Sequence, residues 1–149
     1  MSAFETLIAD HRKVAELFSQ AEATEDEKQK HRLYQQINTE LETHTQIEET
    51  VLYPALQKYE ALADMVSEAI EEHRQIKTLM RESERLSDGS TKLEAKLKVM
   101  KEDVEHHVKE EEKELFPKAQ KILSTQEVKK LEEAIEAARK KLRQAAPAR

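Results

Sequence analysis

The chain has 149 residues and a net charge of -6, with no cysteine, no tryptophan, one glycine and three prolines. This composition excludes a disulfide framework, a thiolate metal site and a thiol redox relay. It also offers no basic stripe to neutralise phosphates, so nucleic acid is not an expected partner.

The opening MSAFETLIADHRK has neither a charged leader nor a continuous apolar segment, and apolar runs elsewhere are only a few residues long. A soluble, cytoplasmic protein without membrane contact is expected. The length suits one domain over residues 1–149. Ala, Leu, Glu, Lys and Gln dominate, which favours helix over strand.

The first predicted helix starts behind Ser2, whose capping box is completed by Glu5, and fades near Ala23. Its apolar face is Phe4, Leu7, Ile8, Val14, Ala15 and Phe18. Thr24 with Glu27 repeats the capping signal ahead of a long second helix, whose stripe is Leu33, Ile37, Leu41, Val51, Leu52 and Ala55. Pro54 is expected to kink that helix or tighten its last turns. A third helix carries Met65, Val66, Ala69, Ile70, Ile76, Leu79 and Met80 and runs out at LSDGS, which holds the single glycine. A fourth begins near Thr91 with Glu94 behind it, along Leu93, Leu97, Met100, Val104 and Val108. A fifth segment opens at STQE, Ser124 to Glu127, and covers about residues 125–146, ending near AAPAR.

Four amphipathic helices with short connections predict an all-α, antiparallel up-down-up-down four-helix bundle over about residues 4–119. The additional C-terminal helix packs across one end or along the surface. The halves also repeat. DHRKV in the first helix is echoed by EHRQI in the third, and HTQIEETVLYP, His44 to Pro54, by HVKEEEKELFP, His107 to Pro117. His11 and His44 are 33 residues apart, His73 and His107 are 34 apart.

Each apolar stripe therefore contains one histidine: His11, His44, His73 and His107. Glu48 and Glu111 follow two of them by one turn, on the same helix face. A lone histidine on such a face defaults to a hydrogen-bonded core residue, and glutamates in acidic runs default to solvent. All six together are another matter. Uncompensated burial would cost several kcal/mol per group against a stability of roughly 5 to 15 kcal/mol. A bound cation pair removes that cost, and a nitrogen and oxygen donor set without sulfur suits iron, manganese or zinc. His31, in KQKHR, and His106, about 100° round the helix from His107, are expected at the surface. Tyr53 and Phe116 match in the two halves and are expected to pack the core beside the prolines, a hydroxyl near the metals being the alternative for Tyr53. Met65, Met80 and Met100 are expected to fill gaps.

The paired upstream histidines, two His-x-x-x-Glu copies and the two Leu-aromatic-Pro endings resemble the hemerythrin-like, or HHE cation-binding, family over about residues 4–119. The resemblance implies a non-haem di-iron centre of two iron ions with a bridging oxo or hydroxo group, manganese or zinc being alternatives. His11 and His44 would ligate one ion, His73 and His107 the other, and Glu48 and Glu111 would bridge them. Respiratory members carry a fifth histidine where this chain has Lys77, which cannot coordinate while protonated. Glu49 and Glu72 are candidates to fill that position. An open pair implies binding of dioxygen, peroxide or nitric oxide for sensing, detoxification or iron handling. The competing readings are an enzyme reducing peroxide or nitric oxide with electrons from a protein donor, and a structural bundle with a zinc-filled or vestigial site.

Overall fold

The computed structural model describes residues 2–86 and 89–145, so Ser87 and Asp88 of the LSDGS loop and the last four residues of the AAPAR end lie outside it. Helix α1 (Ala3–Ala23) is followed by α2 (Glu27–Ile47), a π-helical turn (Glu48–Leu52) and α3 (Tyr53–Gln57), which form one continuous rod. Then come α4 (Glu60–Glu84), a rod of α5 (Thr91–Glu110), a second π-helical turn (Glu111–Leu115) and α6 (Phe116–Ile122), and finally α7 (Thr125–Ala145). No strand occurs among the described residues. The first four rods run up, down, up and down, as the apolar pattern predicts, with α1 against α2 and α4 against α5.

The helix ends follow local chemistry. Ser2 and Glu5 form the expected capping box, and so do Ser124 and Glu127. Two caps differ from expectation by one or two residues. Asp26, not Thr24, caps α2 by accepting from the Lys28 and Gln29 amides, while Thr24 closes α1. Ser90, not Thr91, caps α5. In both cases the cap side chain nearest the first free amides takes the role. Gly89 adopts φ +75°, which completes the α4–α5 turn in a conformation that side chains other than glycine's disfavour.

Pro54 and Pro117 do not tighten their rods. Each follows a widened turn in which the Tyr53 amide donates to the Glu48 carbonyl, and the Phe116 amide to that of Glu111. Proline has no amide hydrogen to continue the normal ladder, and an i→i+5 turn absorbs the interruption. The extra residue per turn rotates the stripe, so Val51 and Ala55 are only half-buried, while Ile47 and Leu56 are fully buried.

Among the described residues the buried apolar side chains form two clusters. One gathers Phe4, Leu7, Ile47, Leu52, Leu56, Leu62, Val66, Leu115 and Phe116. The other gathers Val14, Phe18, Leu33, Ile37, Leu41, Ile76, Met80, Leu97 and Met100. Helix α7 lies along α1 and α2 and contributes Leu131 and Ile135 to the first cluster. The clusters supply the burial free energy that holds the rods, on the order of 2 kcal/mol per large side chain. Buried polar side chains of the rods lie between them. No helix among the described residues is long and apolar enough to cross a membrane.

Candidate metal centre

Antiparallel packing brings one histidine from each rod to the same height. His11, His44, His73 and His107 are all at most 5% exposed, and Glu48 and Glu111 are at most 1% exposed. His31 and His106 are at the surface, as expected. The Nε2 atoms turn inward. His11 and His44 approach at 3.2 Å, His73 and His107 at 3.1 Å. The two imidazole pairs are near copies, edge to face at ring separations of 4.8 and 4.6 Å.

Both carboxylates serve both pairs. Glu48 Oε1 lies 3.2 Å from His44 Nε2 and 2.9 Å from His73 Nε2. Glu111 Oε1 lies 3.2 Å from His11 Nε2 and 3.5 Å from His107 Nε2. Two donor groups result, His11, His44, Glu48 and Glu111, and Glu48, His73, His107 and Glu111, each with its ligand atoms within 4.8 Å of one another. Buried Glu48 Oε2 accepts no hydrogen bond, and buried Glu111 Oε1 has two imidazole nitrogens beside it but no well-formed hydrogen bond. Such orphaned oxygens cost on the order of 1–3 kcal/mol each, and a cation shared between the two groups satisfies them. The residues present fit a pair of divalent or trivalent cations bound through nitrogen and oxygen.

The outer nitrogens are held as firmly. His11 Nδ1 bonds Glu112 at 2.7 Å, His44 Nδ1 bonds Asp10 at 2.9 Å, His73 Nδ1 bonds Glu49 at 2.8 Å and His107 Nδ1 bonds Glu72 at 2.6 Å. A carboxylate on the outer nitrogen fixes the tautomer that presents a lone pair inward and makes the imidazole a better donor. A further group backs each carboxylate: Arg12 on Glu112, Arg139 of α7 on Asp10, Lys77 on Glu49 and His106 beside Glu72. Glu49 and Glu72 thus orient histidines and do not enter the centre. Lys77 points outward to Glu49 at 2.6 Å.

Electrostatics favour positive charge here. Burial alone would depress His44, but Glu48 and the hydrogen bond to Asp10 carry it up to about 10. Burial would raise Glu48, yet the surrounding imidazoles hold its carboxyl well below the usual range. Burial would likewise raise Asp10, and His44 and Arg139 bring it below its ordinary value.

Tyr53 is 1% exposed and packs the core, but its hydroxyl also reaches the centre. It donates to Glu111 Oε2 at 2.6 Å and lies 3.2 Å from Glu48 Oε1, 3.1 Å from His73 Nε2 and 3.4 Å from His107 Nε2. Residues five apart on an ordinary helix point about 140° apart, so the π-helical turn is what lets Tyr53 reach back over Glu48. Burial, Glu48 and Glu111 keep the phenol protonated far above its usual range. Phe116, its counterpart, stacks on His11 at 6.1 Å with rings 8° from parallel.

The roles of Asp10, Glu112 and Arg139 were not anticipated from the sequence. The echoed strings did contain the signal: an acid precedes the histidine in both DHRKV and EHRQI, and a second glutamate follows Glu48 and Glu111.

A helical bundle with a buried, duplicated His and Glu donor set defines a cation-binding protein. The Hemerythrin HHE cation binding domain matches residues 2–119, and the chain belongs to that family. A solved relative is a crystal structure of a Hemerythrin HHE cation binding domain-containing protein, the Rv2633c homolog from Mycobacterium kansasii. It superposes with a TM-score of 0.84 at 26% identity, over 97% of this chain and 89% of that one. A curated relative, described as a DNA nickase from Nostoc sp. (strain PCC 7120 / SAG 25.82 / UTEX 2576), is 27% identical over 135 residues. That match covers 91% of this chain but only 38% of the relative.

Proposed function

We propose that the whole chain acts as one hemerythrin-like domain holding two iron ions. His11 and His44 bind one, His73 and His107 the other, and Glu48 and Glu111 are shared. The observation that carries this is the pair of four-donor groups with both carboxylates in common. Iron, when bound, supplies redox chemistry and affinity for small ligands. The chain's own residues orient the imidazoles, exclude water and place the Tyr53 hydroxyl on one side of the centre.

A cavity of about 20 Å³ touches all four histidines and is walled mainly by Val14, Leu41, Ile76, Val104 and Val108. It has room for about one water-sized molecule. Its size and apolar walls suit dioxygen, nitric oxide or peroxide rather than a metabolite. Sensing, detoxification or iron handling follows, with electrons from a protein donor or small reductant, in the cytoplasm. DNA nicking is not carried over from the curated relative, because most of that protein lies outside the match and an acidic chain is a poor phosphate binder.

Elemental analysis of the purified protein, with its visible spectrum in air and after reduction, tests this. Two irons per chain and a band at the blue edge of the visible that bleaches on reduction are expected. Stoichiometric zinc, or no metal, would replace the proposal with a structural site.

A further inference from the structure

A groove of about 350 Å³ runs between α1 and α5. Two ion pairs that tie the rods together frame it. Arg12 of α1 holds Glu112 at 2.6 Å at one end, and Lys101 of α5 holds Glu22 of α1 at 2.6 Å at the other. Arg12 and Glu22 stand about 15 Å apart along their helix. Between these ties, the exposed residues that α1 turns to the groove are Ala15 and Ser19, one turn apart. Side chains this short leave a gap, and Phe18, Val104 and Val108 form its apolar floor beside His11.

His11, Val104 and Val108 are also walls of the small cavity that touches all four histidines, so the same three side chains separate it from the groove. A second cleft, between α2, α4 and the end of α7, shares a single wall with that cavity, Thr45. Thr45 is 3% exposed and gives its hydroxyl hydrogen to the Glu42 carbonyl at 3.3 Å, so a passage there costs a buried hydrogen bond. Val108 is only half-buried and loses nothing but packing when it swings aside. The rim of the groove carries Arg12, Lys101, Lys109 and Lys113 against Glu105 and Glu112. On a chain of net charge -6 this mouth is locally positive, and such a field concentrates small anions.

We infer that small ligands reach the centre through this groove, with Val104 and Val108 as the valve and the basic rim favouring anions. The inference rests on the reading of the histidine layer as a ligand-binding metal centre. Stopped-flow binding of azide to the oxidised, iron-loaded full chain tests it, with metal content measured alongside. Ala15→Trp puts an indole in the groove from an exposed position, and Gln46→Trp does the same in the competing cleft. Ala15→Trp should slow association and dissociation alike, each roughly tenfold, because a barrier on the route acts in both directions. Val108→Ala should speed both, and Gln46→Trp should change neither. Slowing by Gln46→Trp, or unchanged rates in both Ala15→Trp and Val108→Ala, overturns the route. Lys109→Gln with Lys113→Gln should slow azide association at low salt and flatten its fall with ionic strength. An unaltered salt dependence removes the preference for anions. The metal-free protein keeps the two readings apart: carbethoxylation of His11 by diethyl pyrocarbonate is followed by mass spectrometry against exposed His31 and His106. Ala15→Trp should slow it and Gln46→Trp should not. A chain that binds no metal would remove the metal reading and leave this measurement to decide the groove.

Discussion

The two halves of the centre are built to one plan and finished differently. Residues 11, 44, 48 and 49 correspond to 73, 107, 111 and 112, the imidazole pairs superimpose in geometry, and each half lends the other an orienting carboxylate: Glu112 to His11, Glu49 to His73. The differences lie one layer out and at one aromatic position. The His73 and His107 side meets a phenol oxygen, whereas the His11 and His44 side meets a hydrocarbon ring. Asp10 is clamped by two bonds from Arg139, while its counterpart Glu72 faces His106 and Glu110. The hydrogen bond with the Glu72 carboxylate pushes the Glu110 carboxyl up to about 7. Duplicated sequence therefore supplies a symmetric donor set, and the positions at which the two copies differ, with Arg139 from outside them, make the two sides chemically unequal.

The broadest test removes what the halves share. Glu48→Ala with Glu111→Ala should abolish binding of both cations, because neither imidazole pair alone completes a site. His31→Ala with His106→Ala should retain both. Elemental analysis decides, and two cations in the double glutamate variant would dismiss the sharing.

The aromatic difference comes next. Tyr53→Phe removes a buried hydroxyl bonded to a carboxylate, at a cost of about 1.5–3 kcal/mol in the folded protein, readable by chemical denaturation. It should also make the two metal positions more alike, so that azide binding to the oxidised protein strengthens. Phe116→Tyr should also even the two positions, but by adding a second hydroxyl, so that azide binding weakens. Unchanged azide affinity in both variants would mean that the hydroxyl packs beside the centre without governing access.

A smaller effect separates the orienting carboxylates. Asp10→Ala should lower cation affinity roughly 10–100-fold, the usual consequence of losing a histidine's outer partner. Arg139→Ala acts one step further out and should lower it less, and His106→Ala least. Competition against a chelator ranks the three. Equal effects of Arg139→Ala and His106→Ala would show that α7 adds nothing to the first half.

Much of this was legible in advance because helical spacing transmits directly into shared faces. Ser2, the stripe from Leu33 to Leu41 and the four histidines needed only the 3.6-residue period. The π-helical turns were not legible. Pro54 signals an interrupted ladder, but not whether the backbone kinks, tightens or widens, and the choice depends on packing from the other rods. That one local decision hid the reach of the Tyr53 hydroxyl. Arg139 was hidden for a different reason: α7 lies outside the repeat, so no internal comparison could pair it with Asp10.

The smallest expected effect is at Lys77, where respiratory relatives are expected to place a fifth ligand. The side chain here is about a third exposed and occupied with Glu49, so its loss removes only a surface ion pair. Lys77→Met should therefore change cation affinity by no more than roughly fivefold, the ceiling set by about 1 kcal/mol for an exposed pair. The matching change at Arg12, which holds Glu112 from the other half with its own side chain well exposed, should be of similar size. A loss far larger at Lys77 than at Arg12 would mean that the second half relies on its surface charge where the first does not, and would place the inequality of the two halves at Glu49 rather than at Tyr53.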